Sequence, residues 1–174
     1  MSVLITILAG VSWSMVFTFG PVYAQHAGFN VRETAMFMAA AMVGGAVTQF
    51  PFGWLSDHAG RRATLVVMSA ASILASLFGL WADDHGAVAK IIASFLVGGS
   101  VFTLYAISAA RTNDLVTPQN RIAAAAGLVL LFGLGSILGP LVSGHAVASL
   151  GTGGYFIVLA ATMCLSLAAT ALRR

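Results

Sequence analysis

Long apolar stretches, separated by short charged segments, dominate the pattern of residues along the chain. The intervals without Asp, Glu, Lys or Arg that are long enough to cross a bilayer are residues 1–31, 34–56, 63–82, 91–110 and 122–172. A helix needs about 20 apolar residues to cross a hydrocarbon core of roughly 30 Å, so each of the first four intervals can hold one span. The last can hold two, because the turn-forming segment Gly151-Thr152-Gly153-Gly154 divides it.

These intervals predict an all-α integral membrane protein with six transmembrane helices in one domain over residues 1–174. No ten-residue window alternates between apolar and polar positions, as the strands of a membrane barrel do. The predicted spans lie near residues 3–24, 34–56, 63–82, 88–110, 122–143 and 153–172.

The composition excludes several classes of protein. Hydrophobic residues make up 59% of the chain and charged residues 7%, whereas about a quarter of a soluble domain is charged. So few charges cannot cover a soluble domain, which excludes a soluble enzyme, a disordered segment and a free nucleic-acid-binding domain. Cys164 is the only cysteine, and the four histidines lack metal-ligand spacing. We therefore expect a lipid bilayer as partner, and neither nucleic acid, metal nor cofactor.

Basic residues predict the orientation, because loops on the cytoplasmic side are enriched in Lys and Arg. With six spans, both termini share one side with the loops at 57–62 and 111–121, and both are expected in the cytoplasm. Aromatic residues near the predicted span ends also suggest an interfacial belt: Tyr23, Trp54, Trp81 and Tyr155. The predicted cytoplasmic side carries Arg61, Arg62, Arg111, Arg121, Arg173 and Arg174.

The most informative segment is Gly53-Trp54-Leu55-Ser56-Asp57-His58-Ala59-Gly60-Arg61-Arg62, between the second and third spans. Gly53 lets a neighbouring helix approach closely, and Gly60 allows the positive φ of a short reversal. Asp57 can accept N–H bonds at a helix N-terminus or pair with an arginine. The plainer interpretation is a positively charged turn, which most membrane proteins contain.

This segment resembles the signature loop of the major facilitator superfamily, Gly-x-Leu-[Ala/Gly]-Asp-[Arg/Lys]-x-Gly-[Arg/Lys]-[Arg/Lys]. Ser56 and His58 depart from the pattern. The resemblance implies a latch, in which Asp57 and Arg61 contact the other half of a transporter in its outward-facing state and separate when the inside opens. Gly53 would provide the close helix contact. The matching residues are Gly53, Leu55, Asp57, Gly60, Arg61 and Arg62.

The resemblance also implies that the chain is one half of a larger protein. Members usually have twelve helices in two six-helix halves, each built from two inverted three-helix repeats. Segments 17–23, 102–105 and 135–140 look like the C-terminal half of a bacterial branch of poorly characterised facilitators, and the basic ending suits that position. The first span, which begins at Ser2 without a leading segment, also suggests a piece of something longer. We expect a missing N-terminal half and a location in the bacterial inner membrane.

Small residues recur at four-residue spacing or its multiples on helices 2 and 5, where they permit close helix packing. They either pack inside the bundle or move against the missing half. Prolines within spans predict kinks, which are either ordinary or part of a transport site. The small and polar stripes are Ala41, Gly45, Gln49 and Gly53, and Gly127, Gly135, Gly139 and Ser143; the kink points are Gly20-Pro21, Pro51 and Gly139-Pro140.

Polar and aromatic side chains deep in the spans are candidates for a substrate cavity, or else for interhelical hydrogen bonds. By resemblance, helices 1 and 4 are equivalent and line the cavity, and the similar segments 16–19 and 101–104 lie at comparable depth in them. Asp114, near the inner end of helix 4, indicates a solvated turn. No Asp, Glu, Lys or Arg lies in the middle of a span, so a proton-titrating residue would belong to the other half. The candidates are Trp13, Thr18, Gln49, Thr103 and Tyr105.

These observations predict a secondary active transporter of a small molecule that works by alternating access, present here as a fragment or half. The alternative is a stand-alone six-helix binding or scaffold subunit that dimerises. Six helices also describe rhomboid-type intramembrane proteases, which have a histidine base on the sixth helix. That helix has no histidine here, so no enzyme is expected.

Overall fold

A computed structural model describes residues 2–171, and within them it contains six long helices and no β-strand. Arg173 and Arg174, part of the predicted basic side, lie outside the described residues. All six helices are long and apolar enough to cross a membrane. They are α1 (Ser2–Ser14, continuing through Met15–Phe19 and Gly20–His26), α2 (Val31–His58), α3 (Arg61–Asp83), α4 (Ala87–Leu115), α5 (Arg121–Leu150) and α6 (Gly154–Ala171).

Several helices extend beyond the predicted spans. Twenty residues are about the minimum that crosses the hydrocarbon core, and a helix continues until a capping or turn residue ends it. At the start of α2, Asn30 Oδ1 accepts the Glu33 N–H at 2.9 Å and Glu33 Oε2 accepts the Asn30 N–H at 3.0 Å, forming a capping box. At the end of α5, Gly151 adopts a φ of 75°, a conformation that glycine favours.

The central helices of the bundle are α1 and α4, which contact each other and are flanked by α5 and α2 respectively. Helix α3 packs against α4 and α6. Only 22% of the apolar stretch of α2 and 17% of that of α5 are buried, against 67% and 61% for α1 and α4.

We call the end that carries Arg61, Arg62, Arg111 and Arg121 the arginine-rich end.

Close backbone contacts join α2 to α4. A Cβ added at Gly44 would overlap the Phe95 carbonyl, and one added at Gly98 would overlap the Ala41 carbonyl. Thr48 Oγ1 donates a hydrogen bond across the same interface to the Gly99 carbonyl at 2.5 Å. Small residues therefore bring the two backbones together, which strengthens packing where no hydrophobic force drives helices together.

The same contacts recur between α5 and α1. A Cβ added at Gly135 would overlap the Ile7 carbonyl, and a Cβ added at Gly10 would overlap the Phe132 carbonyl. A Cβ added at Gly139 would lie 2.7 Å from the Val11 carbonyl. The contacting positions of α5 correspond to those of α2, with residues 132, 135 and 139 in the places of 41, 44 and 48. The contacting positions of α1 correspond to those of α4, with residues 7, 10 and 11 in the places of 95, 98 and 99. Within each set the difference in residue number is constant. This duplicated packing is typical of inverted three-helix repeats.

The packing register refines the sequence-based match between helices 1 and 4. Segments 16–19 and 101–104 were expected at comparable depth, and extending the offset seen at residues 7, 10 and 11 makes Leu104, one helical turn after Val101, the equivalent of Val16. A short run of Val, Phe and Thr carries little positional information in two apolar helices, whereas backbone contact at glycines fixes one register.

The predicted small-residue stripes divide into packed and open parts. In α2, Gly45 packs against the Phe102 ring, and in α5, Gly139 packs against Val11 and Ser14. Within residues 2–171, no atom of another helix or side chain lies within 4 Å of a Cβ added at Gly53 or Gly127. Packing inside this bundle therefore explains the middle of each stripe and leaves the end toward the arginine-rich side open.

The prolines have different local effects. In α1 the segment Met15–Phe19, directly before Gly20 and Pro21, is a π-helical turn. A proline ring clashes with the carbonyl four residues earlier, here that of Phe17, and the wider π turn relieves this clash. Helices α2 and α5 continue as α-helices through Pro51 and Pro140.

At the end of the bundle opposite the arginine-rich end, the Asp83 side chain connects α3 to α1 and to the turn before α6. Its Oδ1 accepts a hydrogen bond from Tyr23 Oη at 2.7 Å, and its Oδ2 accepts one from Thr152 Oγ1 at 2.5 Å. Tyr23 and Tyr155 are buried and their rings stack with centroids 4.7 Å apart. The two tyrosines were wrongly expected at the lipid interface, whereas Trp54 and Trp81 are exposed near helix ends.

We predict that Gly135→Ala lowers the free energy of unfolding by about 1–3 kcal/mol, because α1 and α5 must separate to admit a methyl group. The measurement is the thermal transition of the purified protein. Gly133→Ala on the same helix is the matched control, since no atom lies within 4 Å of its added Cβ and alanine favours helix. Equal transitions for the two variants would contradict the packing role of Gly135.

Candidate functional site

The turn between α2 and α3 positions the charged residues of the signature loop. Gly60 is the N-cap residue of α3 and has a φ of 87°, which a residue with a side chain rarely adopts. Its carbonyl accepts the Thr64 N–H at 3.2 Å and the Thr64 hydroxyl at 3.1 Å. The reversal places Arg61 in the first turn of α3, directly beside the last turn of α2.

Arg61 joins the ends of α2, α3 and α4. Its Nη1 donates to Asp57 Oδ1 at 2.9 Å and to Ser56 Oγ at 2.7 Å, and its Nε donates to Asp114 Oδ2 at 3.3 Å. Asp57 therefore pairs with an arginine, one of the two roles expected for it. Asp114 is exposed in the last turn of α4, in keeping with the solvated position that the sequence suggested, and it also pairs with Arg61 because α4 ends beside the start of α3.

Arg62 has a different partner. Its Nε donates to the Thr170 carbonyl at 3.1 Å and its Nη2 to the Ala171 carbonyl at 3.0 Å. The last carbonyls of a helix lack partners within the helix and attract cations. Arg62 thus ties α3 to the end of α6, and within the described residues it contacts neither Asp57 nor Asp114.

A cleft of about 320 Å³ opens beside Arg61, between α2 and α4. Gln49 and Thr103, both predicted cavity residues, line it together with the signature-loop residues Gly53, Asp57 and Arg61. Gln49 is exposed, and Thr103 is buried with its hydroxyl directed to the Gly99 carbonyl at 3.4 Å. The fold therefore brings the predicted gate and part of the predicted cavity into one space. Leu55 is half-buried and does not line it.

Trp13 and Tyr105, the two aromatic candidates, belong to a row of rings on α1, α4 and α5. From Trp13, one side of the row continues to Phe17, with ring centroids 4.3 Å apart, and then to Phe102 at 5.0 Å. The other side continues from Trp13 to Phe132 at 5.8 Å and then to Tyr105 at 4.8 Å. We call these five residues the aromatic row. All five lie near the middle of their helices and are half-buried.

The sequence did not single out Phe17, Phe102 or Phe132 as site residues. The chain has 11 phenylalanines, and nothing in their spacing separates these three from the others. Thr18 is exposed in the π-helical turn, with its side chain outside the ring contacts of the row. Gly20 packs against Met38, whose sulfur would lie 3.2 Å from a Cβ added at Gly20. Thr18 and Gly20 thus lie beside the row rather than in it.

Among the described residues, charged groups occur only toward the two ends of the six helices. Both ion pairs of the described part of the chain involve Arg61. Within residues 2–171 no group of three or more His, Cys, Asp or Glu side chains is placed to hold a metal ion.

Comparison with known proteins identifies a matching family and several relatives. The family model described as Major Facilitator Superfamily matches residues 2–174. The chain is 31% identical over 134 residues to the uncharacterised MFS-type transporter YcaD of Escherichia fergusonii, covering 77% of the chain and 34% of that protein. It is 29% identical over 154 residues to an uncharacterised MFS-type transporter of Enterobacter sp. (strain 638), covering 88% of the chain and 39% of that protein.

The same 29% identity over 154 residues is found with YcaD of Shigella flexneri, again covering 39% of that protein. The chain thus spans between a third and two-fifths of the length of these curated relatives. The match over the whole chain and the six apolar helices agree with the expectation from the signature loop: this chain is an integral membrane protein that belongs to the major facilitator superfamily.

Proposed function

We propose that the chain is the C-terminal six-helix half of a secondary active transporter that moves a small molecule across the bacterial inner membrane by alternating access. The observation that carries this proposal is the position of Arg61. It bridges the ends of α2 and α4 through Asp57 and Asp114, at the mouth of a cleft that reaches Gln49 and Thr103.

The strength of these ion pairs suits a gate. The exposed fraction of the side chain is 31% for Arg61, 65% for Asp57 and 58% for Asp114. Ion pairs between partly exposed side chains are worth about 0–1 kcal/mol each. Such contacts can exchange for contacts with a second bundle at small cost, whereas buried pairs would resist opening.

Space beside the signature loop supports a second helical bundle. Gly53 lines the cleft, yet no atom of the described residues lies within 4 Å of a Cβ added there. Packing among the described helices therefore does not require a residue as small as Gly53. A helix of the N-terminal half would occupy the space beside it. The relatives, of which the chain covers 34–39%, have enough additional length for such a half.

The uncovered sides of α2 and α5 support the same arrangement. Phe50 is 82% exposed on α2, and Leu130 and Ile137 are 71% and 64% exposed on α5. In the family these two helices lie at the interface between halves. Since no Asp, Glu, Lys or Arg lies in the middle of a span, any proton coupling would use a residue of the N-terminal half.

We predict that Arg61→Ala opens the cleft on the arginine-rich side. The test uses the full-length protein with Ala106, which lines the cleft, changed to Cys in a background that lacks Cys164 and other reactive cysteines. Loss of the three Arg61 contacts should increase the rate of labelling by a membrane-impermeant maleimide severalfold, while the amount of protein stays within about twofold because exposed ion pairs contribute little stability.

Asp84→Asn is the matched control, because Asp84 is an exposed charge at the opposite end and takes part in neither ion pair of the described residues. Its labelling rate should equal that of the parent protein. If Arg61→Ala and Asp84→Asn label at the same rate, Arg61 is not part of a gate.

We predict that the arginine-rich end faces the cytoplasm, because that side of a membrane protein retains Lys and Arg. Single cysteines replace Asn113, exposed at the arginine-rich end, or His85, exposed at the opposite end. In intact cells an impermeant maleimide should label His85→Cys only, and in inverted vesicles Asn113→Cys only. Labelling of Asn113→Cys in intact cells would reverse the orientation.

A further inference from the structure

The aromatic row has properties of a ligand site that the gate does not explain. Its members come from α1, α4 and α5, each near the middle of its helix, so they lie far from the interfaces where aromatic residues usually anchor membrane proteins. None of the five rings is fully buried, although other large aromatic side chains are, such as Phe37 and Phe156. Ring surface therefore remains accessible at mid-membrane depth.

Two local features on α1 and α4 keep this surface open. Thr18, directly after Phe17, and Ala106, directly after Tyr105, are exposed. The π-helical turn Met15–Phe19 includes Phe17, and such turns are frequent at functional sites. The hydroxyl of Tyr105 makes no hydrogen bond with the described residues, which leaves it available to a polar substituent.

The chemistry of the row limits what it can bind. Aromatic rings are negative over their faces and positive at their edges, and they favour stacked or edge-on contact with other rings. Cations are also attracted to ring faces. No Lys or Arg lies in the middle of any span of this chain, so an anion on the row would have no positive partner from this half at mid-membrane depth, which is costly.

We propose that the aromatic row is the substrate-contact surface of the transporter and that it selects a planar aromatic compound without a negative charge. This inference rests on the proposed function and adds a substrate class to it. The rings supply stacking area, the Tyr105 hydroxyl orients a polar group, and this half of the transporter offers no central cation to a carboxylate or phosphate.

The test uses four probes that separate ring from charge: 2-naphthylmethanol, 2-naphthylmethylammonium, 2-naphthoate and the decahydro analogue of the alcohol. Binding to the full-length protein in detergent is measured by equilibrium dialysis. The alcohol and the ammonium compound should bind. The carboxylate should bind at least about tenfold more weakly, and the saturated analogue about three- to tenfold more weakly than the aromatic alcohol.

Variants of the row should change these affinities selectively. Trp13→Leu and Tyr105→Leu should each weaken binding of the naphthyl alcohol by about three- to tenfold. Trp13→Leu should leave binding of the saturated analogue unchanged, whereas Trp13→Phe keeps a ring and should lose less affinity for the aromatic alcohol. Phe78→Leu is the matched control, because Phe78 is half-buried on α3 and its ring contacts Trp81 at 5.4 Å, outside the row. Thermal transitions confirm that each variant is folded.

Naphthoate binding as tightly as the alcohol, or unchanged affinity in Trp13→Leu and Tyr105→Leu, would overturn the inference. If no probe binds while Arg61→Ala still speeds labelling of Ala106→Cys, the row is a packing surface for the other half and only the substrate inference fails. If Arg61→Ala leaves the labelling rate of Ala106→Cys unchanged while the probes bind selectively, the gate is refuted and the aromatic site is retained.

Discussion

Backbone contact at glycines is the constraint on which the rest of the bundle depends. In a bilayer, apolar side chains gain little by leaving lipid for protein, so helices associate through close van der Waals packing. Gly44 and Gly98 provide it between α2 and α4, and Gly10 and Gly135 between α1 and α5. A single methyl group at these positions would meet a carbonyl of the opposing helix. The duplicated contact holds α1 and α4 at the centre, and their central position creates both the cleft and the aromatic row.

The two ends of the bundle are held together by different interactions. At one end, the Asp83 carboxylate accepts hydrogen bonds from the buried Tyr23 and from Thr152, next to the stacked ring of Tyr155. Hydrogen bonds out of water are stronger than those in water. At the other end, Arg61 forms ion pairs with partly exposed carboxylates beside an open cleft. Rearrangement therefore costs less at the arginine-rich end, which is where the proposed gate lies.

Between these polar ends the middle of the bundle carries no formal charge. Its hydroxyls are largely satisfied locally, as for Ser136, which donates to Phe132 of its own helix at 3.0 Å and to Gly10 of α1 at 3.3 Å. Aromatic ring surface remains accessible in the middle of α1 and α4, beside the exposed Thr18 and Ala106. The inferred selectivity therefore follows from these rings together with the lack of formal charge around them in the described part of the chain, rather than from any single residue.

The sequence by itself determined the number of helices, their approximate positions and the family. Charge-free intervals of the necessary length predict six spans because hydrocarbon excludes charge, and the fixed spacing from Gly53 to Arg62 indicates the superfamily. The pairing of Arg61 with Asp114, the burial of Tyr23 and Tyr155, and the assembly of Phe17, Phe102 and Phe132 with Trp13 were decided only by the tertiary structure. The physical reason is that these helices are apolar on nearly every side, so hydropathy does not indicate which face turns inward. Only the contact between helices fixes each rotation, and with it the partners of every side chain.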